Sequence, residues 1–210
     1  MKIVNLDGYT TNPGDLSWDW LGNYGEYKVY DRTAPEQIVE RAKGADILII
    51  NKSVITAQML ENLPNLKFVG LQSTGYNVID CKAARARNIT VSNIPAYSTT
   101  GVAQLVFAFI LQVADNVSLH SDAVHNGEWC ECPDFCFWKT PLTELDGKTI
   151  GIIGFGSIGR RVAQIANAFG MNVEVFTTHP KPDEYKNVNF VDFDTCLLYT
   201  SPSPRDYAAS

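Results

Sequence analysis

The chain has 210 residues, 45% of them hydrophobic, and a net charge of −6; domains of about 100–200 residues would make this one or two cores. No Lys/Arg cluster supplies the basic face that a nucleic-acid binder needs, and residues 1–8 enter a strand-like run without an apolar leader, so neither nucleic acid nor secretion is expected. Five cysteines in a chain of this kind point to reduced thiols and a cytoplasmic address, not to a disulfide framework.

Short apolar runs predict strands over residues 2–6, 26–30, 47–51, 68–72 and 90–92. Thr33-Ala34-Pro35-Glu36 has capping-box spacing and predicts a helix through Ile38, Val39 and Ala42, closed by Gly44. Thr56 starts a second helix through Met59 and Leu60, which stops before Pro64, and Asp80 caps a third through Ala83 and Ala84. Such alternation predicts a parallel sheet with helices on both faces, one α/β domain over residues 1–99. The run 101–114 is apolar except for Gln104 and Gln112 and ends at Asp115-Asn116. It is shorter than the roughly 20 residues of a membrane span, so a fully buried helix is predicted and no membrane. After a loop rich in aromatics and cysteine (127–141), a second α/β unit begins: strand 149–154, helix 157–169, strand 173–176. That helix carries Val162, Ile165, Ala166 and Phe169 on one face and ends at Gly170. The second domain is expected over residues 100–195.

The tail from residue 196 reads differently. Cys196 to Asp206 match the in-frame translation of a transposase sequencing-adapter strand, so residues 196–210 are expected to be read-through and no part of the fold.

Gly154-Phe155-Gly156-Ser157-Ile158-Gly159 fits G-x-G-x-x-G between a predicted strand and a predicted helix, the context in which that pattern signals a dinucleotide. Gly154 permits the tight turn, Gly156 the approach of backbone to pyrophosphate, and Gly159 close helix–strand packing. The phosphates would then meet the free N–H groups at the helix start, including those of Ser157 and Ile158. An acid is expected about 20 residues on, to hold the ribose. Glu174 satisfies the count but falls inside the strand, and Thr177 stands at the strand's end, followed by Thr178, His179 and Lys181. Without a carboxylate to repel it, a 2′-phosphate is acceptable there. NADP is as good a prediction as NAD, with a permissive surface turn as the competing reading.

The position of this fingerprint, behind a whole α/β domain and a long apolar helix, resembles the D-isomer-specific 2-hydroxyacid dehydrogenases. Asn12-Pro13-Gly14-Asp15-Leu16-Ser17-Trp18, Ser73-Thr74-Gly75-Tyr76-Asn77, Asp134-Phe135-Cys136-Phe137-Trp138 and the stretch from Leu145 to Gly156 carry the resemblance, which is strongest to the glycerate dehydrogenase (hydroxypyruvate reductase) branch. It implies an α/β fold: a flavodoxin-like substrate domain plus an incomplete Rossmann NAD(P)-binding domain. The implied reaction interconverts a small D-2-hydroxy acid and its 2-oxo acid, glycerate and hydroxypyruvate (or glyoxylate). By the same resemblance, the backbone of Thr74, Gly75 and Tyr76 holds the substrate carboxylate. Lys52 matches a basic substrate-side position, although it also reads as an ordinary solvated lysine. Thr100 and Val102 match a helix start beside the nicotinamide. Trp129, Phe135, Phe137 and Trp138 are expected at the contact of a homodimer.

Family chemistry also needs an arginine and a histidine–glutamate pair. Their motifs match nothing before residue 195, and His120, His125 and His179 are not expected to replace them, so the catalytic set is expected to be absent and the chain inactive by itself. Cys130, Cys132 and Cys136 fit zinc-ligand spacing poorly, and no metal is expected. A nicotinamide-sensing binding protein, like the C-terminal-binding protein corepressors, is the alternative on the same scaffold.

Overall fold

The computed structural model describes residues 1–200, with side chains through residue 197. It forms two compact units, Met1–Tyr97 and a second beginning at Ser98.

The first unit is a five-stranded parallel sheet of β1 (Lys2–Asn5), β2 (Glu26–Val29), β3 (Ile47–Ile50), β4 (Phe68–Leu71) and β5 (Thr90–Ser92), in the order β2-β1-β3-β4-β5. This is the flavodoxin-like order. Its helices are α1 (Ile38–Ala42), α2 (Ala57–Glu61) and α3 (Cys81–Ala86). Thr56 and Asp80 cap α2 and α3 through the amides of Met59 and Ala83, and Gly44, with φ +74°, follows α1.

Two expectations fail in this unit. Helices do not cover both sheet faces. Ile38, Ala42, Leu60 and Ala84 pack with Val4, Leu6, Leu48, Ile50, Val69 and Leu71 into one core, so all three helices share one face. Crossover handedness explains this. The links β2 to β3, β3 to β4 and β4 to β5 all run the same way across the sheet, and right-handed crossovers then fall on one side. Only the β1–β2 link lies opposite, and it folds as two 3-10 turns, Gly8–Thr10 and Asp19–Asn23, leaving Ile47, Ile49 and Phe68 half-buried. The capping box at Thr33 does not form either. The Thr33 hydroxyl donates to the Leu6 carbonyl and accepts from Arg41, and the helix starts later, behind a 3-10 turn at Pro35–Gln37.

In the second unit α4 (Thr99–Asp115), α5 (Val117–His125) and α6 (Glu128–Glu131) precede β6 (Thr149–Ile153), α7 (Ser157–Ala168), β7 (Asn172–Phe176), β8 (Asn189–Phe190) and α8 (Phe193–Thr200). The three strands are parallel in the order β6-β7-β8, one half of a doubly wound sheet, with β6 at an edge. Ala103 and Phe107 of α4 pack with Val162, Ala163 and Ala166 of α7 over Ile152, Val173 and Val175. Phe107 stacks on Phe169 at 5.3 Å between ring centroids.

The predicted full burial of α4 is wrong. Leu105, Phe109 and Val113 are 54%, 64% and 80% exposed, because the helix is apolar all round while α7 covers one stripe of it. Among the described residues no single helix is long and apolar enough to cross a membrane; α4 and α5 would have to act as a pair bent by 62°. Of the expected read-through, residues 196–200 continue α8, with Cys196 buried, and residues 201–210 lie outside the described residues.

Candidate functional site

The turn between β6 and α7 shows what each glycine is for. Gly154, with φ +96°, sits in backbone that side chains rarely adopt, and its amide donates to the Phe176 carbonyl, extending the β6–β7 ladder. A Cβ on Gly159 would collide with the Gly154 carbonyl oxygen, so this residue is fixed by packing. Gly156 is different. Its φ of −75° suits any residue, and a Cβ there would meet nothing within 4 Å. The fold does not need a glycine at 156, but a ligand pressed against that backbone would.

Beyond it, α7 begins. Its first bond runs from the Arg160 amide to the Gly156 carbonyl, so the N–H groups of Ser157, Ile158 and Gly159 remain open to an anion. All three lie in the first turn of a 12-residue helix. A dinucleotide diphosphate fits this cradle.

The ribose end lies beside it. Gly156, Arg160, Thr177, His179, Lys181 and Tyr185 line a cavity of about 300 Å³. Thr177 is half-buried, whereas Thr178, His179 and Lys181 are exposed. The Thr178 hydroxyl meets His179 Nδ1 at 2.9 Å, and the Lys181 ammonium donates to Glu184 at 3.0 Å. That contact holds the Glu184 carboxyl below the usual carboxylate range and raises the Lys181 ammonium. Glu174, the acid at the nominal ribose count, points into a sheet face with its Oε2 buried and unpartnered.

In the first unit, chemistry gathers at the carboxyl ends of the strands. Asp7, just past β1, is 4% exposed. Its Oδ2 accepts the amides of Asn51, Lys52 and Ser53 at 2.8, 3.0 and 2.9 Å, and its Oδ1 accepts the Ser53 hydroxyl at 2.9 Å. One carboxylate therefore shapes the loop that presents Lys52, whose side chain is exposed beside a cavity of about 350 Å³. Thr74, Gly75 and Tyr76 form an exposed turn after β4. The turn is pinned by side chains: Ser73 Oγ donates to the Gly75 carbonyl, Thr74 Oγ1 to the Ile94 carbonyl, and Asn93 Nδ2 to the Thr74 carbonyl. The amides of residues 74–76 donate to no partner among the described residues, which leaves three N–H groups for an anion. Thr100 and Val102 are exposed in the first turn of α4.

Sequence reasoning missed Asp7 and Arg160. Both carried a faint signal, an acid at the end of the first strand and a base directly after the third glycine of the fingerprint. Neither role follows without knowing which loops approach.

Residues 10–202 match the family described as D-isomer specific 2-hydroxyacid dehydrogenase, catalytic domain. A hydroxypyruvate reductase of Blautia hydrogenotrophica is 45% identical over 201 residues, which cover 94% of this chain and 62% of that protein. A glycerate dehydrogenase of Methylorubrum extorquens is 37% identical over 173 residues, covering 82% of this chain and 53% of the relative. The solved structure of an acyclic imino acid reductase (Bsp5) in complex with NADPH and D-Arg is similar to 98% of this chain and 67% of its own, with a TM-score of 0.74 and 30% identity. The chain thus spans 53–62% of the length of these two curated relatives. With its sequence matched over most of its length and its two parallel α/β units in this order, the chain belongs to the D-isomer specific 2-hydroxyacid dehydrogenase family.

Proposed function

We propose that this chain supplies the substrate-side and cofactor-side binding elements of an NAD(P)-dependent enzyme interconverting a D-2-hydroxy acid and its 2-oxo acid, with glycerate and hydroxypyruvate (or glyoxylate) as the pair. The observation that carries this is Gly156, a glycine the fold does not need, at an anion-ready helix start. A bound nicotinamide supplies or accepts the hydride. The chain's own part is to hold the diphosphate at Ser157 and Ile158, with Gly154 and Gly159 shaping the turn, and the substrate carboxylate at the free amides of residues 74–76. Lys52 adds positive charge on the substrate side, and Thr100 and Val102 serve the nicotinamide side. Homodimerisation through the second unit is supported by the aromatic loop, where Trp129, Phe135 and Trp138 are 50%, 91% and 70% exposed, and by the uncovered apolar side of α4.

The cofactor reading leans toward NADP. Thr177 directly follows β7 and brings no carboxylate, and the basic side chains of Arg160, His179 and Lys181 face the same cavity. Fluorescence titration of the chain is expected to give an NADPH dissociation constant equal to or below that for NADH. A preference for NADH above about a hundredfold, roughly 2.7 kcal/mol, would overturn it. The reaction itself is tested with a chimera of residues 1–195 and the remaining third of a hydroxypyruvate reductase. It should reduce hydroxypyruvate, and a chimera that folds and binds cofactor but reduces no 2-oxo acid contradicts the assignment.

A further inference from the structure

We propose that Arg160 is the residue that recognises a 2′-phosphate, making the ribose end of the site selective for the phosphorylated dinucleotide. This rests on the dinucleotide reading above and assigns its specificity to a side chain outside the strand-end turn.

Arg160 is half-buried in the first turn of α7, directly after Gly159. One guanidinium N–H donates to the Phe155 carbonyl at 3.2 Å, which tethers the side chain along the wall of the cavity. Its remaining N–H groups have no partner among the described residues, and no carboxylate pairs with it there. Lys181, the other permanent cation of the cavity, is already committed to Glu184. His179 turns its Nδ1 to the Thr178 hydroxyl. Tyr185 completes the wall and is itself fixed edge-on against Phe155, 5.1 Å away at 87°.

A phosphomonoester brings nearly two negative charges and three acceptor oxygens, and a guanidinium fork matches two of those oxygens at once. A bare ribose 2′-hydroxyl would find no carboxylate acceptor at Thr177 and gain little from the fork. The acids close by, Glu184 and its neighbour Asp183, oppose an added anion. Glu184 is quenched by Lys181, and Asp183 lines the adjacent cavity, not this one. Arg160 forms no salt bridge, although the Glu184 carboxylate is near enough to feel its charge, so its guanidinium stays open to a harder anion.

The test is calorimetric titration of the whole chain with adenosine 2′,5′-bisphosphate and with adenosine 5′-monophosphate, for wild type, Arg160→Gln and Arg161→Gln. Arg161 donates to Gln164 on the same helix and lines neither cavity, so it controls for a charge lost elsewhere on α7. Wild type should prefer the bisphosphate. Arg160→Gln should weaken it by about 10- to 100-fold, the worth of a charged hydrogen bond, while binding of the monophosphate and the thermal midpoint stay put; Arg161→Gln should change neither ligand. Equal losses for both nucleotides, no loss in Arg160→Gln, or a wild type blind to the 2′-phosphate would overturn the assignment to Arg160 alone. A folded wild type that binds neither nucleotide would overturn the dinucleotide reading and this assignment with it.

Discussion

Purified chain supplied with hydroxypyruvate and either reduced cofactor is expected to turn over far below one per second. Reduction of a ketone needs a positioned acid to protonate the forming alkoxide, and losing that acid alone typically costs about 10²- to 10⁴-fold. Each of the three histidines has a local neighbour at its Nδ1. His120 is structural: Nε2 accepts the Lys139 amide at 3.1 Å while Nδ1 faces the Asn116 carbonyl at 3.0 Å. His125 turns Nδ1 to the Ser121 carbonyl, one helical turn back. His179 stands at the ribose end, beside Thr178. No histidine–carboxylate ion pair occurs among the described residues. Stopped-flow or steady-state absorbance at the nicotinamide band reads the result directly. A rate near one per second or faster, inside the usual enzymatic range, would mean that a proton donor exists among these residues.

Asp7→Ala is expected to destabilise the first unit by about 3–5 kcal/mol. The substitution removes four hydrogen bonds to a carboxylate that is 4% exposed and strands three backbone N–H groups, those of Asn51 and Ser53 in buried residues. A buried donor left unpaired costs about 1–3 kcal/mol, and bonds to a charged acceptor sit at the upper end. Hydrogen exchange reads this locally, since the amides of residues 51–53 should lose protection along with the sheet. Loss of exchange protection confined to those three amides, with global stability down by less than about 1 kcal/mol, would show that the loop holds without its acid. Because the same loop carries Lys52, the variant would also scatter that side chain.

Local devices were legible in the sequence. Thr56 and Asp80 cap their helices because an Ncap oxygen needs only the amide three residues on. Gly154 and Gly159 were legible as well, since a strand, a turn and a helix in succession dictate where backbone crowds. What failed depended on distant partners. Thr33 has the spacing of a cap, but the Leu6 carbonyl and Arg41 reach its hydroxyl first. The apolar run of α4 shows that the helix can be buried, but not how many of its sides find a neighbour. Placement of helices on one face follows from strand order, which no local pattern encodes. Arg160 reads as an ordinary helix-surface base until the β7–β8 loop is known to fold beside it.

If the second unit binds a nicotinamide dinucleotide, Gly156 is a glycine for the ligand's sake. Gly156→Ser separates the two possible reasons for that residue. Serine is at least as good an Ncap as glycine, its φ is permitted, and its Cβ enters open space. The thermal midpoint should therefore hold within about 2 °C, a shift worth less than about 1 kcal/mol for a chain of this size. Measured in the same sample by fluorescence titration, NADPH binding should be saturable in wild type and weaker by at least about tenfold, roughly 1.4 kcal/mol, in the variant. A wild type without saturable binding would rule out a dinucleotide at this helix start, and a variant that binds as tightly as wild type would rule out a ligand's need for Gly156.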